Sequence, residues 1–232
     1  FGTWLARKVL FKKVRAQALG TELMYCISGG GFIRPETLEL MNGLGYGLRN
    51  GYGMTETCAP SSVNPTEGYK IGTIGLPLQG VTMGVDEEGE LCIKSPAVCA
   101  GYHNNPDVTK QQIVDGWLHT GDVAELDEQG NIYIKCRKDN MIIRAGMNIY
   151  PQEIENALKE NENISDVLAY GVKNDTVSEK IHIKVVSSLS KAKIYNICKQ
   201  KLLSYELPDV IEIVDEIPKN ASGKVIRSVT RS

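Results

Sequence analysis

The spacing of apolar and polar residues predicts two helices and a strand at the start of the chain. Residues 1–19 carry leucine and valine at close to helical spacing, which predicts an amphipathic helix that ends at Gly20. Residues 22–28 form a mostly apolar run typical of a buried strand, and residues 35–44 predict a helix that starts with proline. A strand, a glycine-rich loop and a helix in this order predict an α/β layer over residues 1–64.

The pattern then changes to shorter apolar runs separated by frequent glycine and proline. Over residues 65–138 it predicts short strands and tight turns, arranged as a small distorted β-barrel or meander. The acidic stretches 86–89 and 127–130 each end in glycine, which is typical of hairpin turns, and we assign their acids no catalytic role.

The C-terminal region alternates between helical and strand patterns. A helix over 151–160, strands over 166–172 and 180–187, a helix around 194–202 and a strand over 210–214 predict a compact α+β domain. The predicted fold class is therefore α/β plus α+β. The change of pattern places a domain boundary near residue 138, before the α+β domain.

A polar turn separates the two predicted domains. Residues 131–135 predict a strand, the four polar residues 137–140 interrupt the apolar pattern, and residues 141–143 resume it. A short polar turn between strands of different domains is a candidate hinge, and Asp139 lies within it.

Composition and charge exclude several classes of protein. The chain has 232 residues, of which 42% are hydrophobic and 23% charged, so it is long enough for one large or two modest globular domains. A net charge of −2 gives no field that would attract nucleic acid or anionic lipid. No apolar run approaches the roughly 20 residues that a membrane span needs. The oligomeric state cannot be predicted from the sequence.

The cysteines and the first residue indicate the context of the chain. The six cysteines show no paired metal spacing and the three histidines stand apart, so we predict reduced core thiols in a soluble, cytoplasmic protein. The chain begins at Phe1 within a predicted helix, so we expect it to be part of a longer protein.

Four stretches carry candidate chemistry. Gly29, Gly30 and Gly31 follow a strand, where a loop without Cβ atoms admits a nucleotide or forms a plain tight turn. Residues 50–57 place Tyr52, Thr55 and Glu56 beside Gly53, which suits base stacking, a phosphate contact and a hard cation.

The other two candidates are a carboxylate and a lysine. Asp122 follows a glycine after a strand, as a turn residue or as a ligand of two ribose hydroxyls. Lys224 stands in a polar, glycine-containing loop after the last strand. This loop is not a P-loop, because Val225 occupies the position that needs serine or threonine.

These stretches resemble the sequence blocks of the adenylate-forming superfamily, which includes acyl-CoA synthetases, peptide-synthetase adenylation domains and luciferases. Residues 52–56 resemble its Tyr-Gly-x-Thr-Glu signature and residues 117–122 its Trp-x-x-Thr-Gly-Asp block. Residues 136–155 resemble its hinge motif, and residues 218–224 its Pro-Lys-x-x-x-Gly-Lys block.

The resemblance implies a role for each candidate residue. Tyr52 flanks the adenine, Thr55 bonds the α-phosphate and Glu56 binds Mg²⁺. Asp122 binds the ribose hydroxyls with support from Arg137. The catalytic residues are then Lys224, Thr55 and Glu56, with Asp139 as the hinge. The implied nucleotide-binding residues also include the glycines Gly29, Gly30, Gly31, Gly53 and Gly146.

The resemblance also implies a domain organisation: residues 1–138 would be the end of a large α/β domain with its β-barrel, and residues 139–232 a small mobile domain. It further implies a two-step reaction. ATP and a carboxylic acid form an acyl-adenylate and pyrophosphate, and the thiol of CoA then displaces AMP, with ATP, Mg²⁺ and CoA as cofactors. The Ser/Thr/Gly-rich phosphate loop of the superfamily does not occur in these 232 residues, so we expect no acyl-adenylate formation by this chain alone. Two alternatives remain: a ligase that loads a carrier-protein thiol, and a catalytically silent nucleotide-binding module.

Overall fold

The chain folds into two compact units. A computed structural model of the protein describes residues 11–20, 23, 26–31, 33–68, 70–173, 178–221 and 225–227. The first unit comprises residues 1–134 and the second residues 135–232. The predicted domain boundaries, after residues 64 and 138, stay predictions.

The first unit contains helices and short strands in mixed order. Its described helices are α1 (Phe11–Leu19), α2 (Pro35–Leu44) and α3 (Pro106–Gln112). Its strands are β1 (Cys26–Ser28), β2 (Leu48–Met54), β3 (Ala59–Val63), β4 (Leu76–Pro77), β5 (Thr82–Val85), β6 (Glu90–Lys94), β7 (Ile113–Val114) and β8 (Trp117–Leu126), followed by β9 (Ile132–Arg137), which crosses the division between the units.

The first sheet has the strand order β1-β2-β3-β4. Strands β1 and β2 are parallel, and the other two pairs are antiparallel. Helix α2 connects the parallel pair and has the bounds that the sequence predicts. Pro35 is its first residue, and Gly45 ends it with a φ of 92°, a left-handed conformation that glycine adopts without strain.

The second sheet has the order β5-β6-β8-β7, with β9 paired to β8. Among the residues that the structure describes, this sheet does not close on itself, so they form no closed barrel. The mixed α/β class is confirmed, whereas the small barrel is not. Ile74, Leu91, Ala124 and Ile132 form a buried cluster against this sheet, and Tyr52 packs on it.

The second unit is built on a three-stranded sheet. Its helices are α4 (Pro151–Lys159) and α5 (Lys191–Lys201), and its strands after β9 are β10 (Ile142–Arg144), β11 (Met147–Ile149), β12 (Ile164–Lys173), β13 (Glu179–Ser187) and β14 (Val210–Ile213). Strand β13 lies in the middle, antiparallel to β12 and parallel to β14.

Both helices of the second unit pack their apolar residues into its core. Ile154 and Leu158 of α4 and Ile194 and Cys198 of α5 are fully buried. They join the apolar residues of β12 and β13 in one cluster. The helical spacing of these four positions is the pattern that predicts these helices in the sequence.

The burial of the cysteines and the character of the helices bear on two predictions made from the sequence. The six cysteines are free, but only Cys92 and Cys198 are buried and Cys58 is exposed, so the prediction of core thiols is wrong for Cys58. None of the described helices combines the length and apolar character required to cross a membrane.

Candidate functional site

The glycine loop and the tyrosine motif leave the first sheet at the same end. Ser28, the last residue of β1, lies opposite Asn50 of β2, and both strands run in the same direction. A Cβ atom on Gly29 would lie 3.1 Å from the carbonyl oxygen of Gly51, so glycine allows the two strands to stay close here. The carboxyl ends of parallel strands are where α/β sheets bind ligands.

Tyr52 and Asp122 meet although they are 70 residues apart in the sequence. The hydroxyl of Tyr52 donates a hydrogen bond of 2.6 Å to Oδ2 of Asp122. The Tyr52 ring packs against the buried cluster of Ile74, Leu91, Ala124 and Ile132. Two candidate nucleotide ligands from different sequence blocks thus form one site, and the tyrosine fixes the orientation of the carboxylate.

Buried polar contacts hold the part of β8 that leads to Asp122. The carboxylate of Glu90, which is 6% exposed, accepts a hydrogen bond of 2.7 Å from the backbone nitrogen of Gly121. The hydroxyl of Thr120 donates to the carbonyl of Leu91 and accepts from the backbone nitrogen of Asp122. Sequence reasoning missed Glu90 and Thr120, since their partners lie on a different strand.

Glu56 lies in a 3₁₀ turn, Thr55–Thr57, directly after β2. The hydroxyl of Tyr102 donates a 2.8 Å hydrogen bond to Oε1 of Glu56. Burial and the adjacent carboxylate raise the pKa of Tyr102 to about 12, so the phenol keeps its proton and remains a donor at neutral pH. Tyr102 therefore orients Glu56, and no local sequence pattern points to this pair. Thr55 beside it is exposed.

The remaining candidates lie in the second unit. Arg137 ends β9, and Asp139 is an exposed residue in the 3₁₀ turn Lys138–Asn140. Gly146 follows Ala145 in the two-residue turn between β10 and β11, and both have positive φ. The turn by itself explains a glycine at position 146, because both of its residues adopt a left-handed backbone.

Lys224 lies outside the described residues, but the residues on both sides of it are described. Lys219 and Val225 pair as an antiparallel bridge, and the nitrogen of Ile226 donates to the carbonyl of Pro218. The segment that carries Lys224 is therefore closed at its base like a hairpin.

An ion pair anchors the chain after Lys224. Arg227 lies 2.8 and 2.9 Å from the two carboxylate oxygens of Glu155, which is 2% exposed on helix α4. The guanidinium also donates to the carbonyl of Ala169, whose own nitrogen donates to Glu155. Burial raises the pKa of Glu155, and Arg227 opposes that shift.

A second carboxylate anchors the chain before Lys224. Asp166 accepts contacts of 2.5 Å from Lys219 and 2.7 Å from Lys159. Burial alone would raise the pKa of Asp166, but the hydrogen bonds from Lys159 and Lys219 outweigh it, and the pKa is lowered. Glu155 and Asp166 together hold both ends of the segment that carries Lys224.

The described residues form a mixed α/β fold in which Tyr52 and Asp122 meet at one site. Residues 3–103 match the family described as AMP-binding enzyme, and residues 153–224 match the AMP-binding enzyme C-terminal domain. The chain belongs to the AMP-binding, or adenylate-forming, enzyme superfamily.

Relatives in this superfamily include two kinds of CoA ligase. The chain is 40% identical over 202 residues to a long-chain-fatty-acid–CoA ligase of Escherichia coli, a match that covers 81% of this chain and 36% of the relative. It is 32% identical over 235 residues to a 2-succinylbenzoate–CoA ligase of Bacillus cereus, covering 96% of this chain and 49% of the relative. The chain thus spans less than half the length of these relatives.

Solved structures show the same fold. An o-succinylbenzoate CoA synthetase from Bacillus subtilis, in complex with its acyl-adenylate intermediate, matches with a TM-score of 0.82 at 27% identity, over 96% of this chain and 49% of that one. The same enzyme in complex with ATP and a magnesium ion matches with a TM-score of 0.77 at 29% identity, over 87% and 45% of the two chains.

Proposed function

We propose that the protein is an AMP-forming acid–thiol ligase that converts a carboxylic acid to its CoA thioester. In the first step a carboxylate oxygen of the acid attacks the α-phosphorus of ATP, and the bond to pyrophosphate breaks. In the second step the sulfur of CoA attacks the acyl carbonyl, the bond to AMP breaks, and the thiol proton is released. The observation that supports this most directly is the Tyr52–Asp122 pair at the carboxyl end of β2.

The first unit would bind the nucleotide. Tyr52 flanks the adenine and Gly29, Gly30 and Gly31 leave room beside it, while Asp122 accepts hydrogen bonds from the ribose hydroxyls. Gly53 lets the backbone approach the nucleotide, and Thr55, which is exposed, bonds the α-phosphate. In the second unit, Arg137 supports the ribose and Gly146 the nucleotide site.

Glu56 fits the requirements of a magnesium ligand. Mg²⁺ in nucleotide enzymes is bound by one or two carboxylates together with substrate phosphates and water. Glu56 provides one carboxylate close to Thr55, and Tyr102 holds it by one oxygen. The bound ion would supply charge neutralisation at the phosphates.

Lys224 would act at the atoms that gain negative charge. Its ammonium group neutralises the acid carboxylate and the departing phosphate during adenylation. Both anchors of its loop belong to the second unit, so the lysine would move with that unit. We include in this proposal a mobile domain over residues 139–232, a hinge at Asp139 and a small barrel over residues 65–138.

The names of the relatives support a class of acid substrate and a thiol acceptor. Two of the CoA ligases that resemble this chain are named for a long-chain fatty acid and for 2-succinylbenzoate, so we propose a carboxylic acid and CoA. Six free cysteines are consistent with a reducing cytoplasm.

Acid-dependent exchange of labelled pyrophosphate into ATP tests this function. The protein, produced from the complete reading frame that encodes this sequence, is assayed with Mg²⁺ and either a long-chain fatty acid or 2-succinylbenzoate. We expect exchange only when a suitable acid is present. Asp122→Asn should raise the KM for ATP about 10- to 100-fold, as the loss of a charged hydrogen bond predicts. Asp107→Asn, an exposed aspartate on α3, is the matched control and should behave like wild type.

The alternatives give different results. Binding of ATP without exchange for any acid would contradict the ligase and identify a silent nucleotide-binding module. Exchange followed by thioester formation on a carrier protein but not on CoA would contradict the acceptor and leave the adenylation step intact.

A further inference from the structure

A thiol, an imidazole and two carboxylates converge on the second sheet of the first unit. Cys92 of β6 and His119 of β8 lie directly opposite each other on antiparallel strands. Asp86 lies in the turn that precedes β6, and Glu90 begins that strand. We call Asp86, Cys92 and His119 the sheet cluster. It is distinct from the residues assigned to the nucleotide, and sequence spacing did not reveal it.

The side chains of the sheet cluster lie close enough to share one ion, with all ligand atoms within 4.8 Å of one another. Nδ1 of His119 lies 3.5 Å from the sulfur of Cys92 and 3.7 Å from Oδ2 of Asp86, and the sulfur lies 3.9 Å from that oxygen. The two distances that involve sulfur also fit weak hydrogen bonds, whereas the nitrogen–oxygen distance is too long for one. A nitrogen and an oxygen joined by a hydrogen bond are normally about 2.7–3.2 Å apart. Ligands of a tetrahedral zinc ion, at about 2.0–2.3 Å from the metal, are separated by about 3.3–3.7 Å.

The local structure fixes the donor atoms before any ion binds. Oδ1 of Asp86 accepts hydrogen bonds from the backbone nitrogens of Glu88 and Glu90, so its Oδ2 is directed to the sheet cluster. Cys92 is 7% exposed. The side chains of His119 and Asp86 are 28% and 30% exposed, so an ion can enter from solvent.

The donor set identifies the class of ion. Thiolate and imidazole are ligands for zinc and related transition metals, whereas magnesium and calcium prefer oxygen alone. Oε2 of Glu90 lies 3.7 Å from Nδ1 of His119, while its Oε1 is held by the nitrogen of Gly121. Glu90 is thus placed beside the fourth coordination position.

We propose that Asp86, Cys92 and His119 bind a divalent zinc ion, with Glu90 as an outer carboxylate. The ion would join the turn between β5 and β6 to β8, the strand that carries Thr120, Gly121 and Asp122. It would thereby stabilise the support of Asp122, and it would take no part in the reaction. The proposal does not depend on the ligase function.

The test is metal binding by tag-free protein, stripped with a chelator and titrated with zinc chloride or cobalt chloride. We expect about one zinc ion per chain, a higher melting temperature with zinc, and a thiolate-to-cobalt charge-transfer absorption with cobalt. Cys92→Ser and His119→Gln should abolish the cobalt absorption, and Glu90→Gln should weaken zinc binding about 10- to 100-fold. Cys58→Ser and His103→Gln replace an exposed cysteine and an exposed histidine as matched controls and should retain binding.

Wild-type protein that shows neither the cobalt absorption nor a zinc-dependent change in melting temperature would overturn the proposal. Unchanged zinc binding in folded His119→Gln protein, with folding checked by circular dichroism, would overturn it as well. In either case the four side chains are a histidine–carboxylate cluster without an ion. Neither measurement uses enzyme activity.

Discussion

The side chain of Tyr52 has two structural roles. Its ring packs on the apolar cluster of the first unit, and its hydroxyl holds a carboxylate that we assign to the ribose. A carboxylate fixed in this way loses little freedom when it binds hydroxyl groups, which favours affinity. Tyr102 holds the carboxylate of Glu56 through its hydroxyl in the same way.

Tyr52→Phe should weaken ATP binding about 10-fold, because the ring remains but Asp122 loses a charge-assisted hydrogen bond. The measurement is the KM for ATP in the exchange assay. Tyr133→Phe is the matched control, since its hydroxyl donates a long hydrogen bond, of 3.4 Å, to the turn carboxylate Asp127. Equal KM values for Tyr52→Phe and wild type would refute the orienting role.

The segment that carries Lys224 is held by one ion pair before the lysine and another after it. Glu155 of α4 binds Arg227 after the lysine, and Asp166 of β12 binds Lys219 before it. Helix α4 and strand β12 contribute to the core of the second unit, so Lys219 and Arg227 are both bound to core elements. A lysine that must act on developing charge gains from such positioning.

Glu155→Gln should slow acyl-adenylate formation more than thioester formation from supplied acyl-adenylate. Glutamine keeps the acceptor for Ala169 but leaves Arg227 without its counter-charge, which costs about 3–5 kcal/mol for a buried pair. Both half-reactions and thermal unfolding are measured. Glu162→Gln, at an exposed glutamate just after the same helix, is the control. Equal slowing of both half-reactions would show that Glu155 acts only on stability.

Asp166 should make stability depend on pH in a predictable direction. Because the pKa of Asp166 is lowered in the folded protein from its ordinary value of 3.8, its contribution is present above that value and is lost as the pH falls through the folded value. The gap in unfolding free energy between wild type and Asp166→Asn should therefore be largest near neutral pH and shrink below about pH 4. Denaturant unfolding at several pH values measures it, and a gap that does not change with pH would contradict this assignment.

Local sequence signals predicted the elements well and the contacts between them poorly. Helix α2 has its predicted bounds, since proline and glycine mark its two ends by backbone chemistry. The short strands over residues 65–138 were also expected, but barrel closure depends on which strand edges pair, and spacing does not encode that. The same limit explains why the pairs Tyr102–Glu56, Cys92–His119 and Arg227–Glu155 went unpredicted.

For the whole molecule, the proposed reaction requires two arrangements of one site. Pyrophosphate leaves in the first step and a thiol enters in the second, so Lys224 has to act in one step and withdraw for the other. A short turn that absorbs a large backbone change is the usual solution. The 3₁₀ turn Lys138–Asn140, in which Asp139 is exposed, is short enough for that role.

Asp139→Pro should leave adenylation close to normal and slow thioester formation by orders of magnitude. Proline fixes φ near −65° and removes the backbone N–H, which restricts the turn to one conformation. Pyrophosphate release and thioester formation are followed separately, together with the melting temperature. Asp139→Asn keeps the turn free and should retain both rates. A folded Asp139→Pro enzyme with both rates intact would show that the hinge lies elsewhere.

The central claim, that the protein produced from the complete reading frame forms an acyl-adenylate, is tested most directly by a single-turnover reaction without CoA. Enzyme in excess is mixed with ATP, Mg²⁺ and the acid, and the quenched products are separated and identified by mass. The account predicts acyl-adenylate and pyrophosphate in equal amounts, and conversion of the acyl-adenylate to thioester and AMP once CoA is added. Formation of ADP and phosphate, or of AMP with no acyl-adenylate at any time, would contradict it.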